Sequence, residues 1–332
     1  MDSEFEFEYL PWQVEALNRL LDLHRQNHLP HAILLESTSR EDISAFTRYL
    51  AMALLCENLE GQTLCGSCDA CRMMPAGTYA DFSWVTLEVD EQFKKINKNI
   101  KIEQIRNLIH EVGLTSRYGR LKIAVIYPAE KMNVASANAL LKTLEEPGDD
   151  VLLMLATHNP GRIPVTLRSR CQTLTINLPD TEMARTWLEE QQFDNEDIPR
   201  YLDFANGDPV LALRLRQQGY ADIVQSFKAR LVQFLRGEIA VAELCNELLG
   251  NENDLIRRLI DMTLRAYQFQ MCGIDTDANH AGPVNPESAQ AISDLQLQAQ
   301  SQLGVEENNL DLQLQLEDVL ISLKQILTRR QL

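Results

Sequence analysis

Four of the chain's seven cysteines lie in one short stretch: Cys56, then Cys65 after eight intervening residues, then Cys68 and Cys71 at successive intervals of two. Thiolates at this spacing suit tetrahedral zinc, because a tight Cys-x-x-Cys turn aims two sulfurs at one ion about 2.3 Å away. Gly66 lets that turn fold, since it carries no Cβ to clash. An iron–sulfur cluster and four uncoordinated thiols are the alternatives. No histidine or carboxylate is arranged to activate a metal-bound water, so the expected site is closed and structural. Cys171, Cys245 and Cys272 are scattered singly. The odd count with close clustering fits a reducing compartment and a metal rather than a disulfide framework.

A second chemistry is notable for the groups it lacks. A phosphate-binding loop needs glycines, so that backbone N–H groups can wrap phosphates, and a lysine to reach the terminal ones. After the apolar run His31 to Leu35 the chain instead reads Glu36-Ser37-Thr38-Ser39-Arg40-Glu41-Asp42. The first glycine is Gly61, and no Gly-Lys pair occurs anywhere. Three carboxylates in that turn would repel a triphosphate. Where an ATPase shows an acidic pair for Mg²⁺, this chain has Tyr127-Pro128-Ala129-Glu130, with Glu130 alone.

The elements that must position these groups alternate in type. Helices are expected over Pro11 to about Gln26, Glu41 to Leu54, Ile102 to Val112 and Asn133 to Glu146, and strands over His31–Leu35, Phe82–Leu87, Leu121–Ile126 and Val151–Ala156. The last strand is wholly apolar, as in a parallel sheet covered on both faces. An α/β module, a parallel sheet covered by helices, therefore fits about the first 175 residues. Beyond Leu178-Pro179 the strand signals nearly vanish. Helices are expected over Thr181–Gln191, Ile198–Ala205, Pro209–Gln217 and a long region from Ile223 to Cys272, with a loop from Gly273 to Pro286. A final helix carries the stripe Leu316, Val319, Leu320, Leu323, Ile326 and Leu327, which must pack on something, most simply the core of its own domain.

Composition narrows the class of protein. A length of 332 residues implies two or three domains, and 45% hydrophobic with 24% charged residues excludes a disordered chain or a coiled-coil rod. No apolar run approaches the roughly 18 residues that cross a bilayer, and the acidic start MDSEFEFEYL does not read as a secretory leader, so a cytoplasmic location is expected. A formal charge of −17 argues against a protein that coats nucleic acid by counterion release. Lys94, Lys95, Lys98 and Lys101 form a local basic run, read as a solvated loop rather than a DNA contact. His31 and His158, which flank apolar strands, are assigned to structure.

Three segments carry a resemblance: Ala137-Asn138-Ala139-Leu140-Leu141-Lys142-Thr143-Leu144-Glu145-Glu146-Pro147, then Ala156-Thr157-His158-Asn159-Pro160, then Leu167-Arg168-Ser169-Arg170-Cys171. With the cysteine insert and the degenerate loop, residues 9 to 178 resemble the clamp-loader branch of the AAA+ family of bacterial DNA polymerase III. The remaining half is similar in architecture only.

The resemblance implies a RecA-like AAA+ module over 1–178 with a zinc insert at about 56–75, a small helical lid domain over 179–218, and an all-α collar over 219–332 that joins the subunits. The collar would take up the stripe of the last helix. Ser169-Arg170-Cys171 would supply Arg170 as a finger to ATP on a neighbouring subunit, although without the family an arginine at a strand edge is more simply a surface ion pair. Thr157 and Asn159 stand where relatives sense the γ-phosphate, but beside an empty site they would brace the sheet. Gly207-Asp208-Pro209-Val210 replaces an arginine that reaches back to the subunit's own nucleotide.

The implied partners are the ATPase subunits gamma and tau, the delta subunit and, through the assembly, the sliding clamp and primed DNA. The implied role is a rigid stator with structural zinc, no nucleotide of its own and no ATPase activity of its own. An active ATPase with an unusual loop, or a zinc-bearing DNA-binding regulator, are the rival readings.

Overall fold

The computed structural model describes residues 9–90, 95–118, 121–148, 150–250, 253–272, 286–303 and 312–328. Lys94, the first eight residues and the expected loop 273–285 fall outside them. The chain divides into two compact units, Met1–Gln192 with Gly207–Leu211, and Phe193–Asn206 with Ala212–Leu332.

The first unit begins with a 3₁₀ turn at Pro11–Gln13 leading into α1 (Val14–Arg25), followed by β1 (Ala32–Ser37) and α2 (Arg40–Leu55). Short α3 (Asp69–Met73) precedes β2 (Phe82–Val85), and β3 (Val89–Asp90) pairs with β4 (Lys95–Ile96) as a small antiparallel hairpin. Then come α4 (Ile102–Val112), β5 (Lys122–Ile126), α5 (Val134–Glu145), β6 (Val151–Thr157), α6 (Val165–Arg168), β7 (Gln172–Ile176) and α7 (Thr181–Glu190). Five strands form one parallel sheet in the order β2-β5-β6-β1-β7.

Every residue of β1, β5 and β6 is buried, which requires cover on both faces. Successive side chains point to opposite faces, so Ile33 and Leu35 join one core with Leu17, Phe46 and Leu50. Leu34, Leu153 and Leu155 join the other, with Ile105, Leu108 and Leu140. Asn133 caps α5 by accepting the Ser136 N–H at 2.8 Å, and Pro147 prevents continuation beyond its end.

The second unit holds α8 (Ile198–Phe204), most of α9 (Pro209–Gln217), α10 (Tyr220–Arg236), α11 (Val241–Leu248), α12 (Asn253–Met271), α13 (Pro286–Leu303) and α14 (Leu312–Thr328). The long helical region expected over 223–272 is therefore three helices. Gly237, with φ +78°, ends the first of them. The stripe of α14 does not wait for a partner subunit: Leu316, Val319, Leu320 and Leu323 are buried within this unit, where α14 packs on α11 and α13. Lys324 closes the end of α10 by donating to the Phe234 carbonyl at 2.6 Å.

Candidate functional site

Cys56 ends α2, Cys68 caps α3, Cys71 lies within α3, and Cys65 lies in the turn between. Their sulfurs all fall within 4.8 Å of one another, with Cys56–Cys71 at 3.7 Å, Cys65–Cys71 at 3.9 Å and Cys56–Cys68 at 4.0 Å. A tetrahedron with 2.3 Å metal–sulfur bonds has edges of about 3.8 Å. The four thiols thus fit a single ion. They stand too close together to straddle a four-iron cube. Gly66 adopts φ +67°, which turns the chain so that the Cys68 N–H donates to the Cys65 sulfur at 3.4 Å.

Donation from the Ser67 backbone first, then from the Cys68 N–H and the Ser67 hydroxyl, pulls the Cys65 thiol down to about 5. Burial pushes the Cys56 and Cys71 thiols up. A divalent cation would reverse that upward push, since a coordinating thiol is deprotonated. The insert is bonded to the helices beside it. Gln62 donates to Asn18 at 2.7 Å and accepts from Tyr9 at 3.1 Å, the Tyr49 hydroxyl donates to the Gln62 carbonyl, and Arg25 reaches the Gly61 carbonyl at 3.0 Å.

At the C-terminal ends of the strands, where nucleotides bind in such sheets, polar groups of the chain bond one another. Ser37 ends β1, and its hydroxyl accepts the Ser39 N–H at 3.1 Å and donates to Asp42 at 3.4 Å. The other Asp42 oxygen accepts from the Trp12 indole at 3.2 Å. At the end of β6, Thr157 donates to one Glu130 oxygen at 2.6 Å, while His158 Nδ1 lies 3.0 Å from the other. Thr157 also accepts the Asn159 N–H at 3.0 Å, so it braces the turn. Asp208 accepts the Leu211 N–H at 3.1 Å as the cap of α9.

Burial raises Asp42 from 3.8 to about 6, with nearby Asp208 adding to the effect against the bonds from Trp12, Ser39 and Gln13. The fold therefore favours protonated Asp42. Its contribution to stability is fully present below about pH 4 and is lost as the pH rises through 6. Asp42→Asn should accordingly stabilise the chain by about 1–3 kcal/mol at pH 8, and by nothing near pH 4. Denaturation midpoints of both chains across that range measure the difference; a gap independent of pH would contradict the assignment.

Arg170 does not sit at a strand edge. It lies in the turn between α6 and β7, half-buried, with its guanidinium on the Glu145 carboxylate at the end of α5. Ser169 ends α6 and donates to the Thr166 carbonyl at 3.2 Å. Cys171 packs against the core on the α4–α5 side of the sheet, and burial raises its thiol to about 11. Arg168 instead bonds the buried Glu36 at 2.9 Å and the Pro160 carbonyl at 2.7 Å. Sequence reasoning missed the Glu145 and Glu36 partners, because pairing between residues distant along the chain leaves no mark in local spacing. Lys101 precedes α4 and lies 3.7 Å from Glu88, while Lys98 is exposed.

The parallel sheet with helices on both faces is a RecA-like module, and it bears a cysteine insert after its second helix. A family model described as "DNA polymerase III, delta subunit" matches residues 12–180. DNA polymerase III subunit delta' of Pseudomonas aeruginosa is 35% identical, over 67% of this chain and 67% of its own length. The Escherichia coli delta' subunit is 30% identical, over 63% and 61% respectively. The chain belongs to the delta' family of DNA polymerase III subunits. It is also similar to E. coli subunit tau, at 36% identity over 63% of this chain but only 32% of tau. A DNA polymerase III gamma subunit-related protein from Thermotoga maritima aligns over 92% of this chain and 99% of its own, with 18% identity and a TM-score of 0.49. Among the described residues, no helix is long and apolar enough to cross a membrane.

Proposed function

We propose that the chain is a stator of the DNA polymerase III clamp loader: a cytoplasmic subunit that binds no ATP, helps load the sliding clamp onto primed DNA, and lends Arg170 to the ATP site of an adjacent gamma or tau subunit. The delta subunit is a further partner. One observation carries this reading. The polar groups at the nucleotide position are held by one another, with Asp42 bonded to Ser37 and Trp12, and Glu130 bonded to Thr157 with the His158 ring 3.0 Å from its other oxygen.

The mechanism follows from what each group does. Asp42 brings a carboxylate to the start of α2, where a phosphate would otherwise meet backbone N–H groups. The Glu130 side chain is 2% exposed, with one oxygen bonded by Thr157 and the other 3.0 Å from the His158 ring. Arg170 stays at the surface on a short turn, where a guanidinium can stabilise charge growing on a transferring phosphoryl group. Ser169 and Cys171 anchor that turn on either side. Zinc on Cys56, Cys65, Cys68 and Cys71 would supply rigidity and no chemistry. We keep the division into module, lid and collar at 178 and 218 as part of this proposal.

Millimolar Mg-ATP should leave the melting temperature of the isolated chain unchanged. A ligand at 100 times its dissociation constant adds about 2.7 kcal/mol. A rise of several degrees would sink the stator reading in favour of an ATPase with an atypical loop.

A further inference from the structure

The Arg170 guanidinium is held from two directions by its own chain. Nε donates to Glu145 Oε1 at 2.8 Å, and Nη2 donates to the same oxygen. Nη1 donates to the Thr166 carbonyl at 2.9 Å and to the Ser169 hydroxyl at 3.3 Å. Arginine has five N–H bonds, so these contacts leave one on Nη2. Glu145 comes from the end of α5, whereas Thr166 and Ser169 belong to α6 and the turn after it. The guanidinium is thus gripped between two elements that are distant in sequence.

An exposed ion pair of this kind adds little to the stability of a fold. Its effect on a catalytic side chain is different. A long arginine that samples many rotamers must be ordered at each turnover, and that entropy raises the barrier; one that is already held does not incur it. We propose that Glu145 is the positioning residue for Arg170, holding the guanidinium by its Nε edge so that it meets the neighbouring subunit's phosphate already oriented. This rests on the finger reading given above. Glu145 keeps its two bonds when a phosphate oxygen arrives. The remaining Nη2 hydrogen faces the arriving oxygen, and the neighbouring Nη1 hydrogen, now on a neutral acceptor, can be shared with that stronger charged one without the group turning.

The test uses the full chain reassembled with the ATPase and delta subunits of the same organism, with the other ATP sites inactivated so that one site is read. Glu145→Ala should lower kcat about tenfold with KM for ATP unchanged, the pattern of an interaction used only in the transition state. Glu145→Gln should restore most of the rate, since its amide oxygen accepts the same two bonds. In an Arg170→Ala background, Glu145→Ala should cost nothing more, because the pair acts as a unit. Should Glu145→Ala fail to assemble, Glu145→Asp takes its place with the same expected loss, having the charge without the reach. Full kcat in Glu145→Ala beside a slow Arg170→Ala overturns the positioning role alone. Full kcat in Arg170→Ala overturns the finger and the positioning role together.

Discussion

Arg170→Ala is expected to slow ATP hydrolysis at the adjacent site by about 10³-fold or more, the usual effect of removing an arginine finger, with the complex still assembled. Assembly should survive because Arg170 is one surface side chain among many interface contributors. The loss over all sites will be partial, since only one loses its finger. Arg170→Lys should not restore the rate, because one ammonium cannot copy a planar two-pronged donor, nor hold Glu145 and a phosphate together. Arg168→Ala is the control. Arg168 bonds buried Glu36 and the Pro160 carbonyl, so its removal should lower the melting temperature and spare the rate. Normal single-site hydrolysis with Arg170→Ala would leave the chain a stator with no catalytic part.

The metal should give the second large effect. One zinc per chain is expected, and Cys68→Ser should abolish its binding while Cys171, Cys245 and Cys272 take no part. Structural zinc contributes on the order of 10 kcal/mol where it folds a small module by itself. Here the insert is also tied down by Gln62, Arg25 and Tyr49. Hydrogen exchange over 56–75 should therefore rise by orders of magnitude on chelation, with the rest of the first unit keeping its protection. Elemental analysis finding no metal, or iron with visible absorbance, would overturn the assignment.

The sheet was legible where burial is two-sided. Val151–Thr157 is apolar almost throughout because helices cover both its faces, and that composition alone marks it as a strand. Gln172–Ile176 was missed for the converse reason. As β7 it is an edge strand that buries only Leu174 and Ile176, and a Gln-Thr-Leu-Thr-Ile run looks too polar. Helix α13 hid in the same way: Ile292, Leu295 and Ala299 recur at helical spacing, but polar residues, glutamines among them, interrupt the apolar face. The stripe of α14 was visible and its destination was not, since periodicity says that a face is buried and never against what. The cysteine cluster came whole from the sequence, because its members are close along the chain. The pairs Arg170–Glu145 and Glu130–His158 depend on folding to bring them together.

Glu130, bonded by Thr157 and flanked by His158, has a historical consequence. A descendant that regained a glycine-rich loop and a lysine would still meet a carboxylate committed elsewhere and a phosphate-sensing hydroxyl turned toward it. Recovering the old activity would require several coordinated replacements, each of them damaging to the buried network when made singly. On the stator reading, a loss of nucleotide binding would work as a ratchet: selection could refine how the chain serves its neighbours far more readily than it could return the chain to independence.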